Sequence, residues 1–343
     1  MERLGLKKVE DFRAPLRLSD QISLRNRLAI APMAGLTDIP FRTLCWRFGA
    51  GYTVSEMVTS KDGFWSTDKS RLRRLAVPGV YPWSVQIAGS DPGQMIETAK
   101  KLVQEGVQVI DVNFGCPAKK VCRRLAGSAL LKDLDLIERI VSELVNALDV
   151  PVTIKTRTGL TRSDDLGRVA IVRAESVGAR MAVLHGRSKE CKFQGTADYR
   201  KIRSVVETVH IPIFANGDIN DLDSAILAAE KSGSDGLMIG RGAIGQPWIF
   251  SCMLGKELPS IEERLVVMNE HLDAIHSFYG RERGTRVSRK HLMAYFTRLR
   301  APELGKEFVS LGTSQEQTAW LRNIDVEMVK SFSSSAEEAA IAA

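Results

Sequence analysis

Eight short runs rich in β-branched and apolar residues recur along the chain: Leu28–Ala31, Tyr52–Ser55, Trp83–Ile87, Val109–Asn113, Val152–Thr156, Met181–His185, Ile211–Ala215 and Gly236–Ile239. Their starts lie 24 to 43 residues apart. Most gaps carry an amphipathic helical pattern, at Pro92–Gln104, Leu134–Leu148, Leu166–Val177, Ile202–Val209 and Leu222–Lys231. Eight strands alternating with helices predict an α/β fold, a (β/α)8 TIM barrel. An open doubly wound sheet is the rival, but no GxGxxG follows the first strand. Pro151 and Pro212 stand at strand starts, where proline is tolerated.

The pattern changes after residue 255. Glu257–Ser260 reads as a linker, and Ile261–Tyr279 and Ser288–Leu299 read as helices, followed by two weaker helical stretches. The expected division is a barrel over 1–256, a small all-helical domain over 257–335 and a tail over 336–343. The apolar fraction is 44% and no uncharged run approaches the ~18 residues of a membrane span. The first residues lack an apolar signal core, which makes the cytoplasm the expected compartment. Five scattered cysteines without a CxxC pair argue against a disulfide framework and a structural zinc site, and no metal is expected. A net charge of +7 favours an acidic partner. Within Gly280–Arg300, seven cations meet one acid, Glu282. That is the pattern of a binding stripe or of a solvated helix face.

A barrel gathers its chemistry at the carboxyl ends of its strands. Read in order, those ends give Ala31-Pro-Met-Ala-Gly35, Gln86, Asn113 with Cys116, Lys155 with Arg157, His185, Asn216-Gly-Asp218 and Gly240-Arg-Gly242. Small residues on the first strand let a planar ligand lie against backbone. The last two loops match the usual barrel phosphate site, with Arg241 adding a charge-assisted contact. A phosphate there lays a mononucleotide cofactor across the mouth, within reach of Gln86 and Lys155. A cation at Lys155 suits a flavin, because it stabilises the reduced anionic ring. Cys116 sits in a Gly-Cys-Pro turn before four cations, Lys119, Lys120, Arg123 and Arg124. An accessible thiol so placed can act as a general acid. Cys122, further along the loop, reads as incidental.

These residues together resemble the tRNA-dihydrouridine synthases, most closely the bacterial B-type branch. Ala31-Pro-Met-Ala-Gly-Leu-Thr-Asp38, Val54-Ser-Glu-Met57, Gly115-Cys-Pro-Ala-Lys-Lys-Val121 and Leu125-Ala-Gly-Ser-Ala-Leu130 carry the match. His185-Gly-Arg187, Ala215-Asn-Gly-Asp-Ile219 and Met238-Ile-Gly-Arg-Gly-Ala243 extend it. The resemblance implies an FMN enzyme that reduces uridine in the tRNA D-loop to 5,6-dihydrouridine with NADPH. It places the flavin through Pro32, Met33, Ala34, Gln86, Lys155, His185, Asn216, Gly217, Asp218, Gly240 and Arg241. Hydride would pass from flavin N5 to uracil C6 while Cys116 protonates C5. The tRNA would be held by Asn113, by Lys119, Lys120, Arg123 and Arg124 on the rim, and by Arg286, Arg289, Lys290 and His291 of the helical domain. A monomer without an obligate protein partner is the family expectation. Cys122 departs from the pattern, which usually has Asn there, as do Thr156 and Leu160.

Two other readings remain at this point. Another FMN barrel, such as a dihydroorotate or dihydropyrimidine dehydrogenase, would share the phosphate site but not require the basic helices. An RNA-binding protein without catalysis would not require Cys116, Lys155 and Asn216-Gly-Asp218 together.

Overall fold

The computed structural model describes residues 9–60, 65–122 and 126–332. Its centre is one parallel sheet closed into a (β/α)8 barrel. The strands are β1 (Leu28–Ile30), β2 (Tyr52–Thr53), β3 (Val58–Thr59), β4 (Ser84–Ala88), β5 (Val109–Asn113), β6 (Val152–Arg157), β7 (Met181–His185), β8 (Ile213–Asn216) and β9 (Gly236–Ile239). β1 pairs with β9 on one side and β2 on the other, and β3 pairs with β4. β2 and β3 are therefore two halves of one barrel position, joined across the seam by a Val54–Ser84 bridge. The sequence predicts one strand over Tyr52–Ser55. The break arises where Glu56 turns inward, accepting the Gly35 N–H and pairing with Arg73 at 3.4 Å.

Side chains alternate across each strand, which sorts them into two sets. Val85, Ile87, Ile110, Val112, Val152 and Ile154 face the helices and are fully or almost fully buried there. Tyr52, Val109, Met181, Val183, Phe214 and Met238 fill the barrel interior. A short hairpin, Leu16–Arg17 against Ser23–Leu24, adds Leu16, Leu18, Ile22 and Leu24 to that interior cluster. It plugs the amino-terminal end. Gly236 makes room for the Phe214 ring, since a Cβ there would stand 2.3 Å from its Cζ.

The surrounding helices are α1 (Ile39–Arg47), α2 (Pro92–Gln104), α3 (Leu134–Ala147), α4 (Leu166–Ser176), α5 (Tyr199–Val206) and α6 (Leu222–Ser232). Most open on an aspartate cap, as where Asp38 accepts from Phe41 N–H at 3.1 Å. Beyond the barrel run α7 (Ile261–Tyr279), α8 (Arg281–Arg298), α9 (Pro302–Ser310) and α10 (Ser314–Arg322). Ser260 and Glu263 form a capping box that fixes the start of α7. The second helix begins at Arg281 rather than Ser288. Its first turns carry no apolar stripe, yet Gly284, Thr285 and Ser288 are small enough to press against α7. Leu44 of α1 and Trp248 belong to the same apolar cluster as Leu272, Tyr295 and Phe296 of the helical domain.

No helix among the described residues is long and apolar enough to cross a membrane. The expected tail at 336–343 lies outside the described residues.

Candidate active site at the barrel mouth

Strand register assembles the mouth. Asn113 pairs opposite Lys155, Arg157 opposite His185, and His185 opposite Asn216. Each faces inward by the strand alternation, so four adjacent strands deliver one polar belt. The belt surrounds a cleft of about 850 Å³, also lined by Pro32, Met33, Ala34, Gln86, Cys116 and Arg241.

Cys116 is held by its neighbours' amides. Asn113 Oδ1 accepts the Gly115 N–H at 3.0 Å and the Cys116 N–H at 2.9 Å. Asn113 Nδ2 donates to Gln86 Oε1 at 2.8 Å, and Gln86 Nε2 donates to Asp111 Oδ2 at 2.7 Å. Behind the turn, Ser128 Oγ donates to the Cys116 carbonyl at 2.9 Å. Cys122 Sγ lies 3.5 Å from the same carbonyl, so the departing residue supports the turn through a weak contact. Gly127 has φ +64°, and a Cβ on it would stand 2.8 Å from that carbonyl. Burial raises the Cys116 thiol above its ordinary pKa, against a backbone hydrogen bond from Ala118 and the charge of Arg157. The thiol is protonated at neutral pH, which is the state an acid needs.

Lys155 is the cation of the floor. Its Nζ donates to Asn216 Oδ1 at 2.8 Å, and Asn216 Nδ2 donates to the Met238 carbonyl at 2.7 Å. Burial lowers the Lys155 ammonium to about 7, Arg157 adds to the effect and Asp111 opposes it. Burial also pushes His185 well below its usual value, with Lys155, Arg157, Arg187 and Arg241 acting the same way. His185 is therefore neutral. Gly217 packs against it, at φ +120° with space for no Cβ: one would meet the imidazole at 2.9 Å. Asp218, at φ +55°, lines the cleft while its carboxylate accepts from Arg187 Nη2 at 2.5 Å and Ala197 N–H at 2.7 Å. It braces the loop after β7.

The expected mouth residues thus meet in one cleft, Gly240 among them. The basic residues disperse. Lys119 and Lys120 open a short helix, Lys119–Cys122, and their side chains, with Arg123 and Arg124, lie outside the described residues. Arg286 is exposed. Lys290 is exposed too, and lies beside Asp38 and Glu56 at the domain junction. Arg289 Nη2 donates to the Leu311 carbonyl at 3.0 Å and ties α8 to the loop after α9. His291 is a correction. It is fully buried, 4.8 Å from the His271 ring and 5.5 Å from Phe41, and touches no solvent. The ligand atoms of Asp38, His271 and His291 lie within 4.8 Å of one another. Arg42, buried beside Asp38, already supplies the opposing charge there. Two residues join the cleft from stretches the sequence marks only as basic: Phe193, from the 192–195 loop after β7, and Arg298, from the last turn of α8.

A family model described as Dihydrouridine synthase (Dus) matches residues 29–333. The tRNA-dihydrouridine synthase B of Proteus vulgaris is 47% identical over 307 residues, covering 87% of this chain and 94% of the relative. The protein of that name from Escherichia coli (strain K12) is 48% identical over 284 residues, covering 80% and 88%. Among solved structures, a 2-naphthoyl-CoA reductase complex superposes with a TM-score of 0.55 at 11% identity. The match covers 71% of this chain and 52% of that one, and speaks for the barrel alone.

Proposed function

The chain belongs to the dihydrouridine synthase family, in its bacterial B-type branch, and from that premise we propose that it reduces uridine in tRNA to 5,6-dihydrouridine. The reading takes FMN as the bound cofactor, NADPH as the reductant and the D-loop as the target, in a cytoplasmic monomer. The barrel, 1–256, carries the chemistry, and the helical domain, 257–335, helps hold the tRNA.

The residues fit FMN on two observations. Among the described residues, Lys155 Nζ has one side-chain hydrogen bond, to Asn216, which leaves donors of the ammonium for a ligand in the cleft. Gly217 and Gly240 keep the walls beside His185 and Met33 free of side chains, and Arg241 stands at the rim for a phosphate. Gln86, Lys155, His185, Asn216 and Arg241 would hold the group, with Pro32, Met33 and Ala34 along one side. When bound, the flavin supplies the hydride for uracil C6.

The protein's own part is the proton. Cys116 holds it because burial keeps the thiol neutral, and gives it to C5 on the face opposite the hydride. Asn113 fixes the backbone from which Sγ projects. The target base must leave its stack to reach this depth.

The observation that carries the reading is Cys116 in a pinned turn on the same cleft as Lys155 and the glycine loops. The test is anaerobic. Protein reduced with NADPH is mixed with unmodified tRNA transcript, and yellow absorbance returns as dihydrouridine forms. A yellow protein that is reduced but ignores tRNA is a small-molecule dehydrogenase instead.

A further inference from the structure

Phe193 is 54% exposed, an unusual position for a phenylalanine, and it lines the cleft that holds Cys116 and Lys155. Its loop does not wander. Arg157 Nη1 donates to the Lys192 carbonyl at 2.9 Å, and Arg187 Nε donates to the Gln194 carbonyl at 3.1 Å. Lys192, the first of those anchors, sits at φ +52°, and Gln194 N–H closes a turn onto the Cys191 carbonyl at 2.8 Å. The residues on both sides of Phe193 are thus tied to guanidinium groups of the barrel. The ring itself has the Arg157 guanidinium 5.4 Å and the Arg241 guanidinium 5.2 Å from its centroid.

An exposed aromatic ring on a braced loop, flanked by cations, is the arrangement by which proteins stack unpaired bases of RNA. Extraction of one base leaves its neighbours in the strand with an uncovered face. We propose that Phe193 stacks on a nucleobase adjoining the uridine that is reduced, and that Arg157 and Arg241 hold the ring upright for it. The inference rests on the reading of the cleft as a tRNA-uridine site. The uracil itself goes deeper, to the level of Cys116 and Lys155, where side chains are largely covered. Phe193 stands at the rim, which is where the next nucleotide passes. Arg298 lines the same cleft from the helical domain and adds positive charge for the strand's phosphates.

The test separates a π face from a merely apolar cover over the two arginines. Phe193→Leu keeps bulk and loses the face; Phe193→Tyr and Phe193→Trp keep it. With unmodified tRNA transcript, the Leu variant raises KM roughly 5- to 100-fold, the worth of about one base–aromatic stack. The Tyr and Trp variants stay near wild type. Transcripts carrying 2-aminopurine on one or the other side of the target uridine report the stack directly. Wild-type protein quenches one of the two, and the Leu variant does not. Wild-type turnover with an indifferent Leu variant, or with no quenching at either position, overturns the stacking alone. A wild-type protein that forms no dihydrouridine overturns the underlying reading, and this proposal with it.

Discussion

Asn113 holds Cys116 through backbone rather than side chain: one amide oxygen takes the N–H groups of Gly115 and Cys116 at 3.0 and 2.9 Å. The thiol's position is thus set by a residue on the last position of β5. Asn113→Ala should lower kcat about 100-fold, the scale of a misplacement near 1 Å. Steady-state rates on tRNA transcript check this, and an unchanged kcat would show that the turn keeps its shape unaided.

Cys116→Ala should slow turnover by roughly 10²- to 10⁴-fold, the usual worth of a general acid. Bound flavin should persist, visible as the yellow absorbance. Because the thiol pKa is raised, the wild-type rate should hold through neutral pH and fall only above the ordinary thiol range, as the acid loses its proton. A rate that climbs over that range would assign Cys116 the thiolate instead.

Lys155 should govern cofactor affinity. Its ammonium, lowered to about 7, is charged below that pH and neutral above it. FMN titrations from pH 6 to 8 should therefore show weaker binding as pH rises. Lys155→Met should bind more weakly throughout and lose this component of the slope. Parallel pH curves for the two proteins would take Lys155 out of the contact.

Two neighbouring arginines of α8 should behave differently. Arg286→Ala should weaken tRNA binding and reduce the salt slope by about 1, as loss of one phosphate contact does. Arg289→Ala should lower Tm, because Arg289 holds the Leu311 carbonyl. Equal salt slopes for Arg286→Ala and wild type would remove Arg286 from the interface.

His271 and His291 are buried, and burial lowers both, His271 to about 3. The unfolded chain protonates these rings below about 6.5, while the folded chain does not. Their contribution is complete above that pH and is lost as pH falls toward the folded value. Asp38 and Asp111, raised to about 6 by burial, act in the opposite sense between about 3.9 and 6. Thermal melts between pH 4 and 7 should show a shallower acid loss in His271→Phe than in wild type. Identical pH dependence would mean that the ring charges in place.

The alternation of strands and helices was plain in the sequence because burial on both faces leaves parallel strands almost uninterrupted. The site was legible for a related reason. Gln86, Asn113, Lys155, His185 and Asn216 are polar residues at or near the carboxyl ends of apolar runs, and alternation turns them all inward. The helical pattern of α7 was readable over Ile261–Tyr279, while the capping role of Ser260, read as linker, came only with the structure. What escaped lacks a local signal. The break at Val54–Met57 exists for the Glu56 contact to Gly35, made across sequence distance. The 192–195 loop reads as a basic rim, but that Phe193 lines the cleft depends on the Arg157 contact from β6. Arg298 joins it only because α8 ends beside the mouth. His291 shares a helix with surface cations, and only the packing of α1 against α8 shows that it faces inward.

Leu44 and Trp248 are barrel-side residues, yet they lie in the same apolar cluster as Leu272, Tyr295 and Phe296. The helical domain is consequently not an interchangeable cassette. A recombinant chain that joins this barrel to helices from another source must also inherit a face that fits α1 and Trp248. A substitution at Leu44 or Trp248 therefore disturbs the barrel and the helices at once.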